Sequence, residues 1–312
     1  MLKLSLDALQ ILDAIDRGGS FAAAAKELFR VPSTVSYGVA KLEEDLGVTV
    51  FERLGPRVTL TQAGKTLLDE GRHLLTAARH LEHKVRRVAS GWETEFAIGM
   101  DLLFSPMSFA DDIRDFYKVA TGTRLRFSHE ALSGTWEALL DRRADLIVGA
   151  AGEGPSGGGY VTEPLGSIPF VFAVAPHHPL ASVMRPLTRS DLLAHRVVSV
   201  ADTALRLPAR TVGLLLGQDT LTVPSLTEKF AFQLAGLGIG YLPEPWVRTA
   251  IVAGKLVEKQ VEEQRPPENF YLAWRTGEQG AALDWWVRRL RGVDLPARLQ
   301  APPAIYEYGP QL

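Results

Sequence analysis

The sequence predicts a multidomain α/β chain: a winged helix-turn-helix over the first sixty residues, one long helix, and a larger two-lobed α/β part. Three observations carry this reading. Three short helical patterns crowd into residues 6–46, a helical stretch free of interior proline runs from Thr61 to Gly91, and strand and helix signals alternate from Thr94 onward. At 312 residues and 46% hydrophobic content, the chain is long and apolar enough to bury several cores.

The first helix runs from Leu6 to Arg17 with Leu9, Leu12 and Ile15 on one face, and Gly18-Gly19 ends it. Ser20 is placed to cap the Ala-rich second helix, Ser20 to Phe29, whose small side chains admit a close neighbour. Pro32 suits the first turn of a third helix, where its missing N–H costs nothing. Turning 100° per residue from Val35 brings Val39, Leu42 and Leu46 into one wedge and leaves Ser33, Tyr37, Lys41 and Glu44 opposite. That outer face carries hydroxyls, an aromatic and a lysine, which is not the dense Glu/Lys pattern of a helix that merely sits in water.

After Gly47 the run VTVFERLGPRVTLT places two β-branched stretches around Leu54-Gly55-Pro56, the signature of a two-stranded wing. Basic groups hold phosphates while hydroxyl and aromatic groups reach base edges, so the face suits double-stranded DNA. The DNA-contacting face is Ser33, Thr34, Tyr37 and Lys41 on the third helix, with Arg53 and Arg57 on the wing. Charge adds little: residues 1–90 carry 13 Lys+Arg against 11 Asp+Glu in a chain of net charge −2.

The stretch SFAAAAKELFRVPSTVSYGVAKLEEDLGVTVFERLGPRVTLTQAGKTLL resembles the N-terminal signature of LysR-type transcriptional regulators, and the sequence resembles more closely their YhaJ-like branch. The likeness rests on a Ser opening an Ala-rich helix, the S-x-x-x-x-x-LE of Ser36, Leu42 and Glu43, then LG, F-x-R and LT-x-AG, and it adds Ser36 to the DNA-contacting set. Two departures stand out: Val31-Pro32 replaces the frequent hydroxyl-Gln pair, and Tyr37 replaces Arg or His. Base readout implied by the family therefore transfers poorly and is assigned here to Ser33, Thr34 and Tyr37; the alternative reading of Tyr37 is a surface aromatic packed on its own helix.

The long helix has Thr61 as its N-cap and Ser90-Gly91 as its break. Leu67, Gly71, Leu74, Ala78, Leu81, Val85 and Val88 alternate spacings of four and three, the seam by which two helices supercoil. Leu67, Leu74, Ala78, Leu81 and Val85 are the expected dimerisation residues; burial within the same chain is the other use of such a stripe.

Beyond Thr94, TEFAIGM, LRFSHE and DLIVGA alternate with helical stretches from Ser105 and Ser133, implying two small sheets. GSIPFVFAVAP and ENFYLAWR are expected to cross between lobes. RADLIVGA, APHHPL, AGLGIGYLP and GKLV extend the resemblance to the family's effector-binding domain, which implies a fold of periplasmic-binding-protein type. The division expected is 1–60 for DNA binding, 61–91 for the linker helix and hinge, 92–166 with 268–312 for one lobe, and 167–267 for the other.

No motif points to catalysis or to a metal. Gly236, Gly238 and Gly240 lack G-x-G-x-x-G spacing, His177-His178 cannot share a helical face as chelators, and no G-x-S-x-G occurs. With no cysteine, disulfides, thiolate metal sites and thiol redox sensing are excluded. Serines at helix starts, in Ser105-Pro106, Ser133-Gly134-Thr135 and Ser225-Leu226-Thr227-Glu228, raise the prospect of N–H groups converging on a small polar ligand; taken singly, the favoured reading of each is a cap of its own helix. The resemblance assigns effector binding to Leu102, Leu103, Ser133, Thr135, Trp136 and Thr203, with the Trp136 indole suited to an aromatic effector; Asp101 and Asp202 nearby argue against a simple carboxylate. No export signal or bilayer-length apolar run is present, so a cytoplasmic protein is expected. The whole reads as a regulator without enzymatic activity or cofactor, whose partners are operator DNA, a small effector, further copies of itself as dimer or tetramer and, by resemblance, RNA polymerase. The competing reading is a ligand-binding or catalytic α/β protein with no DNA role.

Overall fold

The structure, a computed structural model, describes residues 3–54, 57–120 and 122–299, apart from the side chains of residues 53, 54, 57, 83, 84 and 86–90. It divides into two compact units, Met1–Ala89 and Ser90–Leu312.

In the first unit, α1 (Leu6–Gly18), α2 (Phe21–Glu27) and α3 (Pro32–Leu46) are closed by the local signals the sequence carries. Ser5 and Ser20 cap α1 and α2 through their hydroxyls, Pro32 occupies the first turn of α3, and Gly19 and Gly47 leave α1 and α3 at φ 66° and 68°. Ile11, Leu12, Ile15, Ala24, Ala25, Val35 and Val39 form the core. Leu46, expected on the buried stripe, is the last residue of α3 and is 36% exposed. The wing is β1 (Phe51–Leu54) paired antiparallel with β2 (Arg57–Leu60).

Helix α4 (Gln62–Ser90) corrects the seam at its N-terminal end. Leu68 and Leu75 are buried, a Cβ on Gly71 would stand 2.6 Å from Leu9 Cδ2, and Leu67 packs against the core of its own chain. Arg72 fixes this docking through Asp13 and Asp16 of α1, at 2.8 and 2.9 Å. Leu67 and Gly71 therefore serve intrachain packing. Further along, Leu74, Leu81 and Val85 are 50%, 63% and 62% exposed, an apolar stripe left open among the described residues.

The second unit holds a five-stranded sheet in the order β4-β3-β5-β12-β6. Its members are β3 (Glu95–Asp101), β4 (Arg124–Glu130), β5 (Leu146–Ala151), β6 (Tyr160–Ile168) and β12 (Glu268–Arg275). β4 and β5 flank β3 in parallel, whereas β12 runs antiparallel to both β5 and β6. One face is packed by α5 (Ala110–Val119) and α10 (Ala281–Leu290) through Phe116, Trp286 and Leu290; α6 (Ser133–Leu140) packs the other through Trp136 and Leu139. Gly149, at φ 79°, sits where β5 bulges, with the Phe104 ring filling the place of a Cβ.

The chain passes to the second lobe at Pro169, so the expected boundary at 166/167 falls inside β6. There β7 (Phe170–Val174) is flanked by β10 (Gly240–Pro243) and β11 (Val257–Lys259), and β8 (Val197–Val200) pairs in parallel with β9 (Thr220–Val223). α7 (Arg189–Leu193), α8 (Leu226–Leu234) and α9 (Glu244–Val252) complete the lobe. Gly236, at φ 73°, ends α8 before β10, so AGLGIGYLP is a helix-to-strand turn.

Candidate functional site

On the first unit, burial of Val35, Val39 and Leu42 turns Ser33, Thr34, Ser36, Tyr37 and Lys41 outward, all exposed, with Tyr37 at 69%. α3 lies close on α1: a Cβ on Gly38 would stand 2.7 Å from Ile11 Cδ1. Glu43 binds the wing to this helix, its Oε1 accepting from Val50 N at 2.7 Å and Phe51 N at 3.3 Å. Lys41 is 3.6 Å from Asp45, an exposed pair worth little and readily exchanged for a phosphate. The side chains of Arg53 and Arg57 lie outside the described residues.

In the second unit a cavity of about 220 Å³ opens between the lobes. Asp101, Leu102, Leu103, Leu132 and Phe270 line it from one side, and Phe170, Ser199, Leu226 and Lys229 from the other. Arg210, Arg265 and Glu268 also border it and a neighbouring cavity of about 500 Å³. Glu268 accepts from Arg210 at 2.7 Å and Arg265 at 2.9 Å; burial alone would raise its carboxyl, but the two guanidiniums outweigh that and hold it below the usual range. Burial pushes the Asp101 carboxyl up to about 7, against hydrogen bonds from Leu103 N and Leu132 N. Burial, and secondarily the Arg265 charge, lowers the Lys229 ammonium to about 7.

Of the six residues expected to bind effector, Leu102 and Leu103 line this cavity and four do not. Trp136 is a core residue, 3% exposed, its Nε1 donating to Ala151 O at 3.2 Å and its ring against Tyr160. Thr135 is fully buried beside it. Ser133 Oγ donates to Pro208 O, and Thr203 Oγ1 accepts from Ala131 N and donates to Glu130. These serve a strap, residues 201–211 after β8, laid across the start of α6. The Asp202 carboxylate accepts from Ser133 N (3.1 Å), Gly134 N (3.0 Å), Ala204 N (2.8 Å) and Arg210 N (2.7 Å), and Glu137 accepts from Leu205, Arg206 and Leu207 N. The N–H groups of α6 thus meet an internal carboxylate. Between them Leu132 is held at φ 53°, ψ −121°, a conformation that costs a non-glycine residue about 1–3 kcal/mol.

Sequence reasoning missed Lys229, Arg210, Arg265 and Glu268. Three come from unrelated loops and strand ends, without a local pattern. Lys229 did leave a signal, a lone lysine in the otherwise apolar face of LTEKFAFQL.

A helix-turn-helix with its wing on one unit, and a largely apolar cavity with charged groups on its walls between two lobes on the other, define a ligand-responsive DNA-binding protein. Residues 6–65 match the bacterial regulatory helix-turn-helix of the lysR family, and residues 89–294 match the LysR substrate binding domain. The chain belongs to the LysR family of transcriptional regulators. It is 41% identical over 285 residues to the HTH-type transcriptional regulator YeeY of Escherichia coli K12, covering 91% of this chain and 92% of that one. To YhaJ of the same organism it is 38% identical over 288 residues, covering 92% and 96%. Among solved structures, full-length CbnR complexed with its target DNA shares the fold, with a TM-score of 0.58 at 18% identity over 92% of this chain and 99% of that one. These relatives are regulators and not enzymes, and so is this chain. Among the described residues no helix is long and apolar enough to cross a membrane.

Proposed function

We propose that the protein binds double-stranded operator DNA as a homodimer or tetramer in the cytoplasm and alters that binding, or its contact with RNA polymerase, when a small effector enters the cavity between the lobes. The observation that carries the DNA half is the outward face of α3, where hydroxyls and Tyr37 stand exposed beside a wing fastened by Glu43. In this reading Ser33, Thr34, Ser36 and Tyr37 enter the major groove while Lys41, Arg53 and Arg57 hold phosphates. The exposed Leu74, Leu81 and Val85, with the half-buried Ala78 between them, pair two chains. Functionally, residues 1–60 bind DNA, 61–91 link and dimerise, and the lobes 92–166 with 268–312 and 167–267 receive the effector. Its apolar body, aromatic or aliphatic, lies against Leu102, Leu103, Leu226 and Phe270, while Trp136 supports the wall from within the core.

Genome-wide mapping of bound sites supplies the operator, and binding isotherms at several salt concentrations test the face. Lys41→Ala should weaken all sequences alike and flatten the salt slope, whereas Thr34→Ala and Tyr37→Ala should cost about 1–3 kcal/mol at particular base pairs. Unchanged operator affinity in all three would remove α3 from the groove.

A further inference from the structure

We propose that the cavity between the lobes takes a small organic carboxylate, anchored by Lys229. This deepens the effector reading above and rests on it. Lys229 lines the cavity, is 8% exposed, and has no hydrogen-bond or ion-pair partner among the described residues. An ammonium withdrawn from water without a counter-ion is costly, and a fold keeps one where a ligand completes it.

The helix starts and carboxylates nearby are already engaged. Asp202 occupies the start of α6, Ser225 caps α8 through Thr227 N and Glu228 N, and Glu93 accepts from Ala282 N and Leu283 N at the start of α10. An incoming anion therefore meets a side chain and not a helix end. The strands packed against α8, namely β7 (FVFAV), β8 (VVSV) and β9 (TLTV), carry no ionisable residue, and the β10 residue at the cavity is Tyr241. The remaining charged groups on the walls are Arg210, Arg265, Glu268 and Asp101. Two guanidiniums share the single Glu268 carboxylate, so that cluster carries an excess positive charge which favours an anion. Asp101 accepts from two backbone N–H groups and is directed to its own turn.

Size restricts the ligand further. A volume of about 220 Å³ is room for about seven waters and suits a small ligand lodged at Lys229, with the cavity of about 500 Å³ adjoining it across Arg210, Arg265 and Glu268. The apolar wall of Leu102, Leu103, Leu226 and Phe270 accepts a short hydrocarbon body, not a second charge.

The test uses the full chain, calorimetry at pH 8, and matched probes: butyrate, butyramide and butylamine, and benzoate, benzamide and benzylamine. At least one acid should bind ten-fold or more tightly than its amide and amine. Lys229→Met should lose that preference, and Lys229→Arg should keep it. Because the empty-cavity lysine sits at about 7, a bound carboxylate should draw up to one proton onto it at pH 8, read as a heat that varies with buffer ionisation and vanishes in Lys229→Met. A tryptophan-fluorescence melt verifies that both variants are folded. Amides or amines binding as tightly as the acids, or acids binding Lys229→Met undiminished, would overturn the carboxylate anchor and leave the cavity as the effector site. Binding by none of the six would overturn the anchor together with the cavity reading.

Discussion

Replacing Asp202 by Asn removes the charge at the centre of the strap while keeping its shape. Oδ2 accepts from Ser133 N and Arg210 N, and Oδ1 from Gly134 N and Ala204 N. Asn offers one acceptor oxygen and turns an NH2 toward the other two donors. Either orientation of the amide therefore loses one bond to α6 and one within the strap. Two part-buried N–H groups left facing another donor cost about 1–3 kcal/mol each, the lower end applying to partly exposed groups, and the lost charge at the start of α6 adds about 0.3–1 kcal/mol. The expected loss is about 2–4 kcal/mol. All six tryptophans lie at or beyond Trp92, so tryptophan fluorescence in urea reports on the second unit alone. For a slope of about 2–3 kcal/mol/M, the midpoint should fall by about 1 M. A shift below about 0.5 kcal/mol would refute the strap as a structural tie.

Trp136→Ala should cost about 3–5 kcal/mol by the same assay, as a core truncation does; a near-normal melt with lost effector response would return the residue to the ligand site. Leu81→Asp should disfavour association in light scattering and leave the urea transition of the lobes unchanged, because Leu81 is 63% exposed within its own chain; an unaltered oligomer would exclude α4 from the interface. Lys229 has a folded pKa of about 7, below the unfolded 10.5, so its contribution to stability is fully present above 10.5 and is lost as pH falls through 7. Lys229→Met should accordingly stabilise the ligand-free protein near neutral pH, by an amount on the order of 4 kcal/mol at most, and flatten the rise in stability from pH 7 to 10; a melt series in which the parent shows no such rise would disprove the buried, uncompensated amine.

What was legible in the sequence was what local chemistry decides. Ser20 and Gly47 set helix ends through bonds to Ala23 and Glu43, and Pro32 and Gly19 through their own backbone conformation, and these effects appear where the sequence places them. On α4 two neighbouring stripes share the same three-and-four spacing, so periodicity found an apolar seam but could not tell that Leu67 and Gly71 meet their own chain. The start of α6 was misread for a related reason: Ser133 looks like a local cap, whereas the capping carboxylate, Asp202, comes from 69 residues further along. The charged wall of Arg210, Arg265 and Glu268 is likewise assembled by tertiary structure, and only Lys229, out of place among apolar neighbours, could have been suspected.

The strap also bears on affinity. A cleft that closes on its ligand must use part of the contact free energy to bring its halves together and to order the segments that meet. Here Asp202, Thr203 and Glu137 already join the two halves before any effector arrives. Preorganisation of this kind leaves nearly all of a ligand's contact energy available as binding free energy, and the smallest ligands reach at most about 1.5 kcal/mol per non-hydrogen atom under such conditions. A metabolite with only a handful of atoms can then be held at micromolar concentration, near −8 kcal/mol.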